Sequence, residues 1–205
     1  MPNEMNSGKI KVLKNVFMLY WKWDTMPELE NPPENSPEYL LLQIYDDLKE
    51  TAFTNYSFRS TIKYKEITCT EPEENDDPRY KYRAQVPDDY LKSFGFWLDK
   101  ERHSSIHNSL EVAGKVIKSP YEKITIGYVS NSVDEDKLDQ WVLDYLAVFI
   151  ASEAADLGGC NEQTKLNLMQ LEEITRIKAG KKDFDMSHHE PYSKSKFMFR
   201  AEDWC

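Results

Sequence analysis

The chain has 205 residues, enough for one domain with a full core, or two small lobes, without disulfide or metal staples. At 40% hydrophobic and 13% aromatic residues it is too apolar for wholesale disorder. Its 36 acids against 26 bases give a formal charge of −10, and no basic run exceeds Lys181-Lys182, which argues against tight nucleic-acid binding but suits an acidic wall that DNA slides past.

After a polar leader, residues 9–23 place Ile10, Leu13, Val16, Phe17 and Tyr20 at helical spacing, with Trp21 and Trp23 beyond, and predict a first helix. Pro27 and the run Asn31-Pro32-Pro33-Glu34-Asn35 break it. Ser36-Pro37-Glu38 then restarts a helix, with cap, proline and acid in the favoured order, that runs to about Phe53. Leu40, Leu41, Ile44, Tyr45 and Leu48 form its apolar face; Asp46, Asp47, Lys49 and Glu50 form its wet side.

The period changes next. Alternation and β-branched or aromatic enrichment predict short antiparallel strands at 58–68, 80–86, 110–112, 115–117 and 124–129, with a hairpin turn at Ala113-Gly114. Residues 71–77, with a proline, an asparagine and five acids, read as an exposed loop. In Val86-Pro87-Asp88-Asp89-Tyr90-Leu91 the proline fixes an extended exit, and the aspartates cap a turn that returns Tyr90 and Leu91 to the core, as in a strand-to-helix connection.

Two more helices are predicted at 134–179. Ser132 caps the first, with Glu135 completing a capping box. Leu138, Trp141, Val142, Tyr145, Leu146, Phe149 and Ile150 form its stripe, and Leu157-Gly158-Gly159 stops it. Asn161 caps the second, which sets Leu166, Met169, Ile174 and Ile177 on one stripe, ends at Gly180 and packs antiparallel to the first. The expected fold is α+β: a four-helix bundle formed by the N- and C-terminal helix pairs (1–57 and 131–180), an inserted small antiparallel β-lobe (58–130) and an extended C-terminal tail (181–205). That tail has five acids, five bases and little periodicity, yet carries Phe184, Tyr192, Phe197, Phe199 and Trp204, as a docking segment that orders on a partner would.

Reactive constellations are scarce in the sequence. His103 and His107 stand four apart without further ligands in register, and the neighbours His188 and His189 do not converge easily on one ion, so surface histidines are the expectation. Cys69, Cys160 and Cys205 are odd in number and lack a CxxC partner, which predicts free thiols in a reducing compartment; Cys160, near a helix N-terminus, reads as inert packing. Asp88-Asp89 and Glu172-Glu173 read as solvated pairs. No GxSxG, GxGxxG or GxxxxGK[ST] occurs, and the expectation is no catalytic, cofactor-binding or metal site. With no basic leader before an apolar core and no run of roughly 20 apolar residues, the expected product is soluble, made in the host cytoplasm and without a membrane partner.

Taken in order, these elements resemble the head-to-tail adaptor (connector) proteins of tailed bacteriophages, notably the tail tubular protein A group of short-tailed phages. The series comprises a helix, a proline-bearing loop, a second helix with Tyr45-Asp46, an aromatic entry at 55–58, and the element Tyr80-Lys81-Tyr82-Arg83-Ala84-Gln85-Val86-Pro87-Asp88-Asp89-Tyr90-Leu91. It continues with the hairpin Val112-Ala113-Gly114, a strand ending Tyr128-Val129, a helix ending near Ala154-Ala155 and a last helix, covering about residues 9–180. Val86 stands where the family usually has leucine, and Phe199-Arg200 and Trp204 where it ends on tryptophan-x-x-arginine.

The resemblance implies a structural virion protein at the head–tail interface. It would form a self-assembled ring of about a dozen copies, a dodecamer, under the portal protein, touching other tail or ring proteins and enclosing a channel for DNA that passes without tight sequence-specific binding. It assigns portal docking to the tail, through Phe184, Tyr192, Phe197, Phe199, Arg200 and Trp204. The ten acids and four bases of residues 131–180 suit a lumen through which DNA slides. The same acidity suits an alternative, a small acidic phage protein that binds and inhibits a host protein; a hydrolase using His103 or a carboxylate pair is a third reading.

Overall fold

A computed structural model of the chain describes residues 5–72, 78–98, 106 and 109–189, with 185–189 described by backbone alone. Among the described residues, four α-helices and six strands make a mixed α+β fold: α1 (Ser7–Lys14), α2 (Pro37–Asn55), β1 (Ile62–Thr68), β2 (Tyr82–Gln85), β3 (Tyr90–Trp97), β4 (Glu111–Ala113), β5 (Val116–Ser119), β6 (Lys123–Ser130), α3 (Gln140–Glu153) and α4 (Glu162–His189). The strands form two antiparallel three-stranded sheets, ordered β1-β6-β3 and β2-β5-β4.

Local chemistry starts the helices. The Asn6 side chain accepts from the Lys9 amide at 2.7 Å and caps α1, which passes into a π-helical stretch, Asn15–Tyr20. Ser36 Oγ accepts from the Tyr39 amide at 3.2 Å and Pro37 opens α2, as the sequence predicts. Helix α3 starts later than expected. Asp134 caps a 3-10 turn, Glu135–Lys137, and α3 begins only at Gln140. Glu135 does not reach back to Ser132 in a capping box, because its carboxylate accepts from Asn6 at 2.8 Å and Lys49 at 3.0 Å instead.

Helix α3 is the axis of the helical lobe. Val142, Leu143 and every residue from Tyr145 to Ala151 are buried, so it is apolar nearly all round, as a helix enclosed by neighbours must be. The α1 end, the π-helical stretch, α2 and α4 all pack on it. Trp21 donates from Nε1 to the Ala151 carbonyl at 3.1 Å, and its ring lies where a Cβ on Gly158 would be, so that glycine permits the close approach. Helix α3 ends at Glu153, and turns carry the chain to Gly159, whose φ of +68° is the left-handed conformation expected of this glycine pair.

The β-lobe corrects two expectations. Residues 59–61 form a 3-10 turn rather than the start of β1. Tyr90 and Leu91 open β3, a full edge strand, where the sequence suggested a turn towards a helix. Two bulges, between Tyr90 and Lys92 and between Ser93 and Gly95, break the two-residue alternation that identifies a strand in sequence. The β4–β5 hairpin closes with Gly114 at φ +60°, first in a two-residue loop, as predicted.

A buried ion pair joins the N-terminal helices to the start of the C-terminal half. Lys49 and Glu135 are only 8% and 4% exposed, and Asn6 also donates to Glu135. Hydrogen bonds from Asn6 and Lys49 outweigh the burial of the Glu135 carboxyl and hold it below its ordinary value. Removing one partner of such a pair strands the other charge away from water. Lys49→Ala is expected to destabilise the chain by about 3 kcal/mol in urea unfolding, while Lys49→Met with Glu135→Gln recovers most of the loss.

Candidate functional site

The largest departure from the sequence expectation lies on α4. Residues 181–189 are helical, so the segment expected as an extended tail begins as a continuation of α4. Gly180 does not stop the helix: it faces Tyr56, whose hydroxyl would overlap a Cβ at that position.

Helices α3 and α4 run antiparallel, as expected. Lys182 Nζ lies 5.8 Å from the ring centre of Trp141 at the start of α3, and Glu172 sits by Ser152 near its end. The face that meets α3 is not the large apolar stripe. Leu168 and Ala179 are buried there, with Thr175 and Gly180 partly buried beside them. The stripe expected to pack, Leu166, Met169, Ile174 and Ile177, points outward, at 53%, 61%, 47% and 59% exposure, and Phe184 continues it. The cause is steric. The rings of Tyr56, Phe58 and Tyr145, with centroids 4.6 to 6.4 Å apart, already fill the space beside α3, so α4 approaches with its small residues.

Along a helix, positions three, four and seven apart share a face. Leu166, Met169, Ile177 and Phe184 therefore form one row about 27 Å long at the usual rise, opposite the row that holds Leu168 and Ala179. Lys178 and Lys181 flank its C-terminal half, and Glu173 interrupts the row between Met169 and Ile177, where it pairs with Arg176 at 2.6 and 2.7 Å. Beside the α3–α4 seam, a groove of about 590 Å³ is lined by Leu19, Tyr20, Trp141, Asp144, Lys178 and Lys182. Trp141 Nε1 is buried there without a hydrogen-bond partner among the described residues.

Of the predicted tail residues, Phe184 is exposed on this row. Tyr192, Phe197, Phe199, Arg200 and Trp204 lie outside the described residues, as do His103, His107 and Cys205, and only the backbone is described at His188 and His189. The sequence reading found the outward apolar residues but placed them inside. The signal available was the small-residue row Ala179-Gly180, which marks a close helix approach better than large side chains do.

The other candidates take structural parts. Asp89 is a hub between strands, accepting from Lys63 at 2.7 Å, Ser130 at 2.7 Å and Tyr128 at 2.9 Å. Partial burial would raise its carboxyl, but those hydrogen bonds outweigh it and hold it at about 2; in return burial and the Asp89 bond push the Tyr128 phenol up to about 12. Burial, then the Glu153 charge, raises Glu172. Burial also raises the thiols of Cys69 and Cys160, both of them free. Among the described residues, no group of three or more His, Cys, Asp or Glu is placed to hold a metal ion, and no helix is long and apolar enough to cross a membrane.

Compared with protein-family models and with the curated proteins, the chain matches none.

Two outcomes check this geometry. Ile177→Ser is expected to leave the unfolding free energy in urea within about 0.5 kcal/mol of wild type, whereas Leu168→Ala costs about 2 to 5 kcal/mol. Because the folded-state Asp89 carboxyl lies below its ordinary value of 3.8, its stabilisation is complete above that value and is lost as pH falls through about 2. The stability advantage of wild type over Asp89→Asn, followed by circular dichroism, should be full at about pH 5 and vanish towards pH 2.

Proposed function

We propose that the chain is a structural virion protein: an adaptor that docks beneath a phage portal as a ring of its own copies, joins capsid to tail and encloses the DNA channel. In this reading the four helices act together as one bundle-like scaffold around α3, and the segment from Lys181 onward grips the portal. The observation that carries it is the outer face of α4, a row of large apolar side chains on a rigid helix that leads directly into a segment rich in aromatic residues. An apolar row of this length beside charged residues is the anatomy of a protein–protein interface.

The chemistry of the remaining titratable groups supports the same reading. Asp89 holds strands together and Glu135 holds the N-terminal helices to the start of the C-terminal half, while Glu173 is paired with Arg176 on its own helix. The negative charge of residues 131–180, ten acids against four bases, suits a surface past which a polyanion moves. Ring closure makes short tail contacts multivalent, so each copy needs only a modest grip.

The test is co-assembly. Mixed with the portal of the same phage, the full chain should join it in many copies by mass measurement and negative-stain imaging, and Phe197→Ala with Phe199→Ala should weaken that association at least tenfold. A chain that ignores portal and is missing from purified virions overturns the reading, and recovery of a single host protein instead would favour the inhibitor alternative.

A further inference from the structure

Helices α2 and α4 both pack on α3, and neither packs extensively on the other, so their outer faces look away from the axis in different directions. Each outer face carries unburied apolar residues. On α4 these are Leu166, Met169 and Ile177; on α2 they are Leu40 and Ile44, one turn apart. The two faces also match in length. Helix α2 spans 37–55 and the α4 row spans 166–184, each about 27 Å at the usual rise.

Their charges are opposite. Helix α2 holds four acids, Glu38, Asp46, Asp47 and Glu50, against the single base Lys49, a net of −3. Over 166–184, α4 holds Arg176, Lys178, Lys181 and Lys182 against Glu172, Glu173 and Asp183, a net of +1, with all four bases gathered after Glu173. Laid side by side in the same chain direction with Asp47 beside Lys181, Leu40 meets Ile174 and Ile44 meets Ile177, so each helix presents two exposed apolar residues followed by a charge of opposite sign. One molecule cannot make this contact with itself, since both helices are fixed on α3. A second copy can.

We propose that the outer face of α4, centred on Ile174 and Ile177, is a subunit interface that packs on the outward side of α2, at Leu40, Ile44 and Asp47, of a second copy of this chain. The contact joins two different patches, so each added copy leaves one α2 face and one α4 face free. Such a head-to-tail interface closes into a ring when its rotation fits and never stops at a symmetric pair. The inference deepens the adaptor reading and rests on it for the number of copies in the closed ring. Apolar burial supplies the affinity, and the Asp47–Lys181 complementarity selects the partner face and its direction.

The experiment uses the full chain in sedimentation velocity, alone and with portal. Wild type is expected to self-associate in one of these settings. Ile177→Glu should be monomeric alone and fail to form complete rings on portal, with an unchanged melting temperature. Asp47→Lys and Lys181→Glu should each weaken association about tenfold, and the two together in one chain should recover most of it, a rescue that general surface damage does not give. Ile177→Glu assembling as wild type overturns the interface, as does a charge reversal without rescue. Covering of the α4 face by portal itself, or by residues 190–205 of the same chain, would appear as charge reversals on α2 that change nothing, and also overturns it. Should the interface fail while wild type still joins portal in many copies, the adaptor reading stands. Should copies associate through these faces yet ignore portal, the adaptor reading falls and the interface stands.

Discussion

Helix α3 has almost no wet side, and the arrangement of the helical lobe follows from that. Apolar side chains at nearly every position from Val142 to Ala151 demand neighbours all round, and α1 with its π-helical stretch, α2 and α4 supply them. Because burial of this kind is non-directional, it fixes which helices gather without fixing how each one turns. Directional contacts set the rotation: Trp21 Nε1 on the Ala151 carbonyl, Tyr56 against Gly180, and the Lys49–Glu135 pair completed by Asn6.

That division of labour explains the surface of α4. Where the rings of Tyr56, Phe58 and Tyr145 occupy the flank of α3, α4 meets them with the small residues Ala179 and Gly180, while Leu168 is buried further towards its start. The large residues are turned outward as a consequence of packing, and the helix keeps an apolar row that its own fold does not use. Burying that row would remove apolar area from water without disturbing the core, because the helix folds onto α3 through its other side.

The β-lobe contributes a rigid appendage held by its own small core, which includes Ile117, Ile124, Ile126 and Phe96. Its tie to the helices runs through β6, β3 and the Asp89 hub, where one carboxylate receives three donors from neighbouring strands. In sequence the pair Asp88-Asp89 reads as a solvated face. Its partners show that one member secures the strand ends, and charge-assisted bonds of this kind are strong enough to do so.

The sequence by itself determined the elements whose signals are local: the Ser36-Pro37 start of α2, the Gly114 hairpin, the apolar run of α3, the acidic balance and the mixed α+β class. It misread what depends on a partner distant in the chain. Strand β3 was hidden because bulges set by its pairing with β6 break its alternation, and Glu135 was drawn from a local cap by Asn6 and Lys49. The rotation of α4 was decided by space beside Tyr56 and Tyr145, residues far from it in sequence. Periodicity reports that a helix has an apolar face, but only the shape of the neighbouring surface decides whether that face is buried within the chain or left for another molecule.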